Sequence, residues 1–235
     1  MPTMILVRHG RTAINVDGGL AGRTPGIGLD DHGRAQVKRL GERLAALPYS
    51  RVVTSPLQRC METAEALVAA RPDAVIVPDE RLIECGYGDW TGRSLKELTK
   101  ERLWRVVQVH PSAATFPGEG GESMRDMQAR AVAAVRDWDA RIAQEDGPEA
   151  LWVACSHGDV IKAVVADALG LHLDLFQRIV AEPVGVSVIS YTELRPFVLR
   201  LNDTGSLDGF VPKRRRARRT RPPRTAVVGG GAGAS

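Results

Sequence analysis

The chain has 235 residues, of which 43% are hydrophobic, 26% charged and only 5% aromatic, and it carries a formal net charge of +4. That composition is enough for one sizeable core and offers too few aromatics for a base-stacking nucleic-acid surface. The charge is unevenly placed: eight of the 32 basic residues, Lys213, Arg214, Arg215, Arg216, Arg218, Arg219, Arg221 and Arg224, form one late run, and the remaining 24 bases face 28 acids.

Cys60, Cys85 and Cys155 are odd in number and lack CxxC spacing, which predicts reduced thiols and a cytoplasmic protein rather than a disulfide scaffold. The apolar stretch before Arg8 is too short for a secretory signal, and there is no run of about 18 apolar residues, so neither export nor a membrane span is expected.

Taken in order, Met4–Val7 reads as a first strand, followed by a helix whose apolar stripe is Val37, Leu40, Leu44 and Leu47. Arg51–Thr54 is a second strand, and Ser55-Pro56 predicts a helix opened by a serine cap with proline at its first position. Ala74–Val77 is a third. From Leu82 to Gly121 an insertion breaks the rhythm with a glycine-rich segment, a helix over Leu95–Val109 and the loop Phe116–Gly121, a unit able to cap a site. A helix over Ser123–Ala143, boxed by Ser123 and Asp126, leads to a fourth strand at Leu151–Cys155 and a helix over Val160–Leu169. Val186–Ser190 and Phe197–Leu201 close the series.

Strand alternating with helix predicts an α/β fold, a three-layer sandwich with a mostly parallel, buried central sheet flanked by helices. We expect one domain over residues 1–211, with residues 82–121 inserted over the site, and a disordered basic tail over 212–235. The tail is read as a solubilising segment, with weak binding of an anionic partner as its alternative.

Chemistry-bearing residues gather at the predicted strand ends, where open α/β sheets bind ligands. Leu6-Val-Arg-His-Gly-Arg-Thr-Ala-Ile-Asn15 puts Arg8, His9 and Gly10 at the first. Thr54-Ser-Pro-Leu-Gln-Arg-Cys-Met-Glu-Thr-Ala64 puts Arg59 on the first turn of a helix, where helix dipole and guanidinium both favour an anion. Cys155-Ser-His-Gly158 echoes the first motif, and Leu82-Ile-Glu-Cys-Gly-Tyr-Gly-Asp-Trp-Thr-Gly92 brings Glu84 in a glycine-rich loop. Each is weak alone, since a surface Arg or a loop Glu is the commoner fate.

Together, in this order and over roughly residues 4–201, they resemble the histidine phosphatase, or phosphoglycerate-mutase-like, superfamily. That resemblance implies a phosphatase acting on a small phosphorylated metabolite, with His9 and Glu84 catalytic and Arg8, Asn15, Arg59 and His157 binding phosphate. It implies no metal and no cofactor, and a homodimer at the level of family habit. Gly121-Glu-Ser123 also resembles a segment of the phosphatase branch.

The residue types suit the reaction. Phosphoryl transfer needs an in-line nucleophile, cationic cover for the oxygens and an acid for the leaving oxygen. His9 among two arginines is expected to stay neutral, while Glu84 needs burial or a bound dianion to hold a proton at pH 7. A metal hydrolase is disfavoured because there is no HExxH or HxH and because His32, His110 and His172 are scattered. A Cys or Ser hydrolase is disfavoured because Cys155, Ser156 and His157 are consecutive on a strand end, where side chains diverge. The serious rival is a phosphoglycerate-mutase-type phosphomutase; Tyr87-Gly-Asp-Trp-Thr-Gly92 departs from the Tyr-Gly-Gly-Leu-type segment of such enzymes and favours hydrolysis. Arg23, Arg93 and Arg125 could reach an anionic substrate, though surface roles suffice for each.

Overall fold

The computed structural model describes residues 2–206, so the expected disordered basic tail lies outside the described residues. Six strands are present: β1 (Thr3–Arg8), β2 (Tyr49–Thr54), β3 (Val75–Pro78), β4 (Leu151–Ser156), β5 (Val186–Tyr191) and β6 (Pro196–Asp203). They form one mixed sheet in the order β3-β2-β4-β1-β5-β6. The first four pair in parallel, while β5 is antiparallel to both of its neighbours. The helices are α1 (Ala13–Asp17), α2 (Asp31–Leu44), α3 (Gln58–Ala70), α4 (Leu95–Leu98), α5 (Arg102–Val109), α6 (Met124–Glu145) and α7 (Gly158–Ala168).

The two-residue period of a strand explains the layers. Met4 and Leu6 on β1, with Trp152 and Ala154 on β4, enter one core with the buried faces of α6 and α7. Their neighbours Ile5, Val7, Val153 and Cys155 enter a second core with Leu40 and Leu44 of α2 and Cys60, Ala64 and Leu67 of α3. The α/β three-layer architecture therefore follows from central strands that are apolar on both faces. Residues 82–121 do not stand apart: Leu82, Trp90, Leu98, Val107 and Phe116 join the α6–α7 core.

Four local expectations are corrected. Ser55-Pro56 does not open a helix, because α3 starts at Gln58 with Leu57 in the capping position and the Ser55 hydroxyl lies 2.7 Å from His157 Nε2 instead. The helix expected over Leu95–Val109 is two helices, α4 and α5. Leu98 and Val107 are nine positions apart, which on one continuous helix would put them on opposite sides, about 180° apart. The break lets both be fully buried. The third strand is not buried, since β3 is a sheet edge and Val75 is 55% exposed. Finally, His110 and His172 are not scattered but flank Asp174 at the surface, with Nδ1–Oδ2 distances of 3.7 and 3.3 Å.

Two glycines let backbone segments approach near the strand ends. A Cβ on Gly33, in the first turn of α2, would lie 2.0 Å from the Arg11 carbonyl oxygen, and one on Gly86 would lie 2.3 Å from that of Gly120. Gly33 thus lets α2 lean against the segment that follows His9. Replacing Gly33 with Ala should destabilise the protein by about 1–3 kcal/mol through overpacking against backbone that cannot withdraw, and should lower turnover with it. Urea unfolding checks this, and wild-type stability would mean that the contact is not tight.

Candidate active site

The carboxyl ends of β1, β2 and β4 lie side by side and are bound together by buried polar contacts. The His9 N–H donates to the Ser156 carbonyl at 3.1 Å, and the Ser55 N–H to that of Cys155 at 3.0 Å. Thr63 couples two motifs: its hydroxyl accepts from the Gly10 N–H (3.1 Å) and donates to the Arg59 carbonyl (2.7 Å). The Ser156 hydroxyl donates to the Leu82 carbonyl at 2.7 Å, fixing the start of the Glu84 loop to the end of β4.

A small cavity, open to solvent on one side, is lined by His9, Asn15, Arg59, Glu84, Tyr87 and the Gly19–Gly22 segment. Four of the six expected site residues therefore share one wall. Arg8 and His157 lie behind it, fully buried; the His157 ring meets that of His9 edge-on at 5.2 Å between centroids. The walls come from the loop after α1 and from the insertion, stitched together by a Gly19–Ser94 bridge.

His9 Nδ1 sits 2.7 Å from the Gly10 carbonyl oxygen, which can only accept, so the proton is on Nδ1 and the lone pair on Nε2. Burial first, then the charges of Arg59 and Arg8, hold its pKa well below the usual histidine range, so the ring is neutral at pH 7. His157 is held low in the same way, by burial and then by Arg59. Arg8, whose guanidinium donates to the Ala181 carbonyl at 2.8 Å, is brought down to about 10 by burial and stays charged. Arg59 donates through Nη2 to the Gly22 carbonyl at 2.8 Å, while its buried Nη1 has no hydrogen-bond partner among the described residues. An orphaned guanidinium nitrogen on a residue of the cavity wall is a donor set for an anion. Asn15 Oδ1 accepts from the Thr12 N–H and hydroxyl at 3.1 and 2.9 Å, so what the side chain can offer a ligand is its Nδ2 donor.

Glu84 is 4% exposed. Burial, and then the charge of Asp159, push its pKa up to about 7 against the opposing pull of the Cys85 N–H, Arg59 and Arg8. Its Oε1 accepts from that N–H at 2.9 Å. Burial thus does what the sequence left to either burial or a ligand.

Several residues that sequence reasoning passed over hold this arrangement. The Glu84 carbonyl accepts from Arg23 Nε (2.8 Å) and Arg130 Nη2 (3.1 Å), and both arginines converge on Glu122, at 2.7–2.9 Å. Arg23 is therefore a brace at the surface, its side chain 38% exposed, whereas Arg93 pairs with Glu101 and Arg125 is exposed. Asp89 is exposed and outside the cavity wall; the second carboxylate near Glu84 is the fully buried Asp159. Its position directly after Ser156-His-Gly158 was the only signal available in the sequence. Among the described residues no three His, Cys, Asp or Glu side chains gather as a metal-holding group.

Arg130 also donates to the Arg81 and Ile83 carbonyls at 2.8 and 2.7 Å, making it the main strut of the Glu84 segment. Arg130→Met should lower kcat by on the order of 10²-fold through misplacement of that carboxyl, with little change in affinity for inorganic phosphate. Steady-state kinetics and calorimetric phosphate titration check this; an equal loss in both would mean that the strut supports the whole cavity.

The model of the histidine phosphatase superfamily (branch 1) matches residues 4–204. The glucosyl-3-phosphoglycerate phosphatase of Mycolicibacterium vanbaalenii is 32% identical over 178 residues, covering 73% of this chain and 76% of that one. The 2-carboxy-D-arabinitol-1-phosphatase of Triticum aestivum is 32% identical over 192 residues, 80% of this chain, which spans only 37% of the wheat protein's length. Phosphoglycerate mutases are also among the relatives. Among solved structures, Bacillus stearothermophilus YhfR superposes with a TM-score of 0.74 at 28% identity, over 85% of this chain and 96% of that one. A family match that runs from the second residue of β1 to just beyond the end of β6, with fold agreement over most of the same span, makes this chain a member of branch 1 of the histidine phosphatase superfamily.

Proposed function

We propose that the protein is a metal-independent phosphomonoester hydrolase working through a phosphohistidine on His9. One observation carries the reading: a neutral imidazole with its lone pair on Nε2 and a buried carboxyl that holds a proton near neutrality share the wall of a single small cavity.

His9 Nε2 attacks phosphorus in line with the ester oxygen, and the P–O bond breaks as Glu84 gives that oxygen its proton. The alcohol leaves and phosphoryl remains on nitrogen. Ionised Glu84 then takes a proton from water as the water oxygen attacks phosphorus, the P–N bond breaks, and inorganic phosphate departs with His9 and protonated Glu84 restored. Arg59 and Asn15 hold the equatorial oxygens from the cavity wall, and Arg8 and His157 complete the set from the buried floor. Arg8 and Arg59 bring two buried guanidiniums to the site, a match in sign for a phosphomonoester dianion. The same cations supply the electrostatics for which a metal hydrolase uses its ion, so activity should survive EDTA; a rate that collapses and returns with divalent metal would sink the metal-free mechanism.

The phosphatase relatives support hydrolysis over the mutase alternative, as does the departure of Tyr87–Gly92 from the mutase-type segment. A cytoplasmic setting and a small phosphorylated metabolite as substrate belong to the same reading; among the described residues no helix is long and apolar enough to cross a membrane.

Glu84→Gln should slow alkyl phosphates far more than aryl phosphates, whose leaving oxygen needs no proton, and should let an acid-labile, base-stable phosphoryl adduct accumulate on His9. In the wild type, the rate of the phosphorylation step on an alkyl phosphate should fall as pH rises above about 7, because the acid form of Glu84 is the one lost on that side. Equal losses for the two substrate types with no trapped adduct would falsify the acid/base assignment. A steady rise in rate from pH 6 to 9 would do the same.

A further inference from the structure

Behind the cavity lies a second polar cluster that the reaction as written does not use. Asp159, in the first turn of α7, is completely buried. Its Oδ2 accepts from the Tyr87 hydroxyl at 2.9 Å, and its Oδ1 lies 3.3 Å from Lys162 Nζ, one helical turn on. The ammonium is itself fixed by Gln177 Oε1 at 2.6 Å and lies 4.2 Å from the centroid of the Phe176 ring, and Gln177 Nε2 reaches the Val107 carbonyl at 3.3 Å. A chain of bonds thus runs from α5 through Gln177, Lys162 and Asp159 to Tyr87, whose ring lines the substrate cavity beside Glu84.

A buried ion pair gains little stability over apolar residues of the same volume, so the cluster calls for a reason other than folding. Tyr87 donates a hydrogen bond to the Asp159 carboxyl group, and Lys162 brings a positive charge to it. The groups facing Glu84 are Arg8 from β1, Arg59 from α3, the Cys85 N–H from its own loop, and Asp159 and Lys162 from α7. Asp159 is the one group in that shell that opposes loss of the Glu84 proton by charge; the others favour it. Without a fixed negative charge, two guanidiniums and an N–H would draw Glu84 towards its ionised form, useless to a leaving alkoxide.

We propose that Asp159 is a positioning residue of this active site, one that touches no substrate but anchors the Tyr87 wall and sets a carboxylate next to Glu84, so that Glu84 enters each cycle as the acid. The proposal rests on Glu84 being the proton donor of the reading above. It also assigns Lys162 a purpose, which is to keep that charge in place without lining the cavity.

Asp159→Asn keeps the shape and an acceptor for Tyr87 while removing the charge. Its expected effect is a shift, not a uniform loss: the pH at which the phosphorylation rate on an alkyl phosphate falls away should move down by about one unit. Turnover of the alkyl substrate at pH 8 should then drop about tenfold relative to wild type, while turnover of an aryl phosphate changes less than about twofold. Tyr87→Phe is the control for a merely structural role, because it cuts the bond to Asp159 and leaves every charge; it should lower the rate without moving the profile. Should Asp159→Asn fail to unfold cooperatively, the double variant Asp159→Asn/Lys162→Met removes the pair together, leaves no unpaired buried ammonium, and should show a smaller shift in the same direction, because the Lys162 charge that acts on Glu84 in the opposite sense is lost with it. Coincident pH profiles of Asp159→Asn, or of the double variant where the single does not fold, and wild type overturn the proposal, as does a pH-independent loss matching that of Tyr87→Phe. Glu84→Gln measured in parallel separates the two claims: if it spares alkyl phosphates, the acid assignment itself has failed, whereas selective loss in Glu84→Gln with an unmoved Asp159→Asn profile defeats the role of Asp159 alone.

Discussion

Arg8, Arg59, Glu84, Asp159 and Lys162 are all withdrawn from water at the carboxyl ends of β1, β2 and β4, each no more than 4% exposed. Ionised side chains lose several kcal/mol of hydration in such a place, and a fold tolerates this only where opposite charges and hydrogen bonds replace the water. The protein meets the cost in two ways. Asp159 and Lys162 compensate each other, and Glu84 and the two histidines avoid it by remaining neutral, as the directions of their pKa shifts describe. The guanidiniums of Arg8 and Arg59 remain as the positive side of this arrangement, with the charge of Asp159 acting on Arg8.

That arrangement constrains the rest of the molecule. The sheet ends must stay in register, hence the short polar ties from Thr63, Ser55 and Ser156 between neighbouring strand ends. The insertion must keep Glu84 dry, hence the core of Trp90, Phe116 and Tyr87, whose rings meet at 5.0–5.4 Å around Phe116. Glu122 links the two sides of the cavity mouth: it binds Arg23 from the loop after α1, Arg130 from α6 and the Gly86 N–H beside Glu84. The resemblance of Gly121-Glu-Ser123 to a phosphatase-branch segment thus has a mechanical counterpart in this structure.

Local chemistry, where it is nearly self-sufficient, could be read from the sequence. The β-branched runs of β1, β2 and β4 specify strands because they suit an extended backbone buried on both faces, and their alternation with amphipathic stretches such as Val37, Leu40 and Leu44 specifies an α/β sandwich. The motifs around Arg8, Arg59, Glu84 and His157 were legible only together, through their resemblance to the histidine phosphatase superfamily, because each alone is spelled like an ordinary surface or turn residue. Thr63 and Arg130 carried no such mark, and Asp159 only its place after Ser156-His-Gly158, since a buried carboxylate and a solvated one on a helix are spelled alike. The same blindness led to the serine of Ser55-Pro56 being read as a helix cap, when a histidine 102 residues away takes its hydroxyl.

By itself, then, the sequence determined the layer order and the set of residues able to carry phosphoryl chemistry, because hydrophobic period and side-chain type are properties of a segment alone. Only the tertiary structure decided which of those residues face the cavity, which proton His9 keeps, and that Glu84 holds one at neutrality. Those are matters of dielectric and of neighbouring charge, and both come from elements far apart in the chain. Asp159 lies 75 residues from the carboxyl it acts on, and nothing short of folding brings its field to bear.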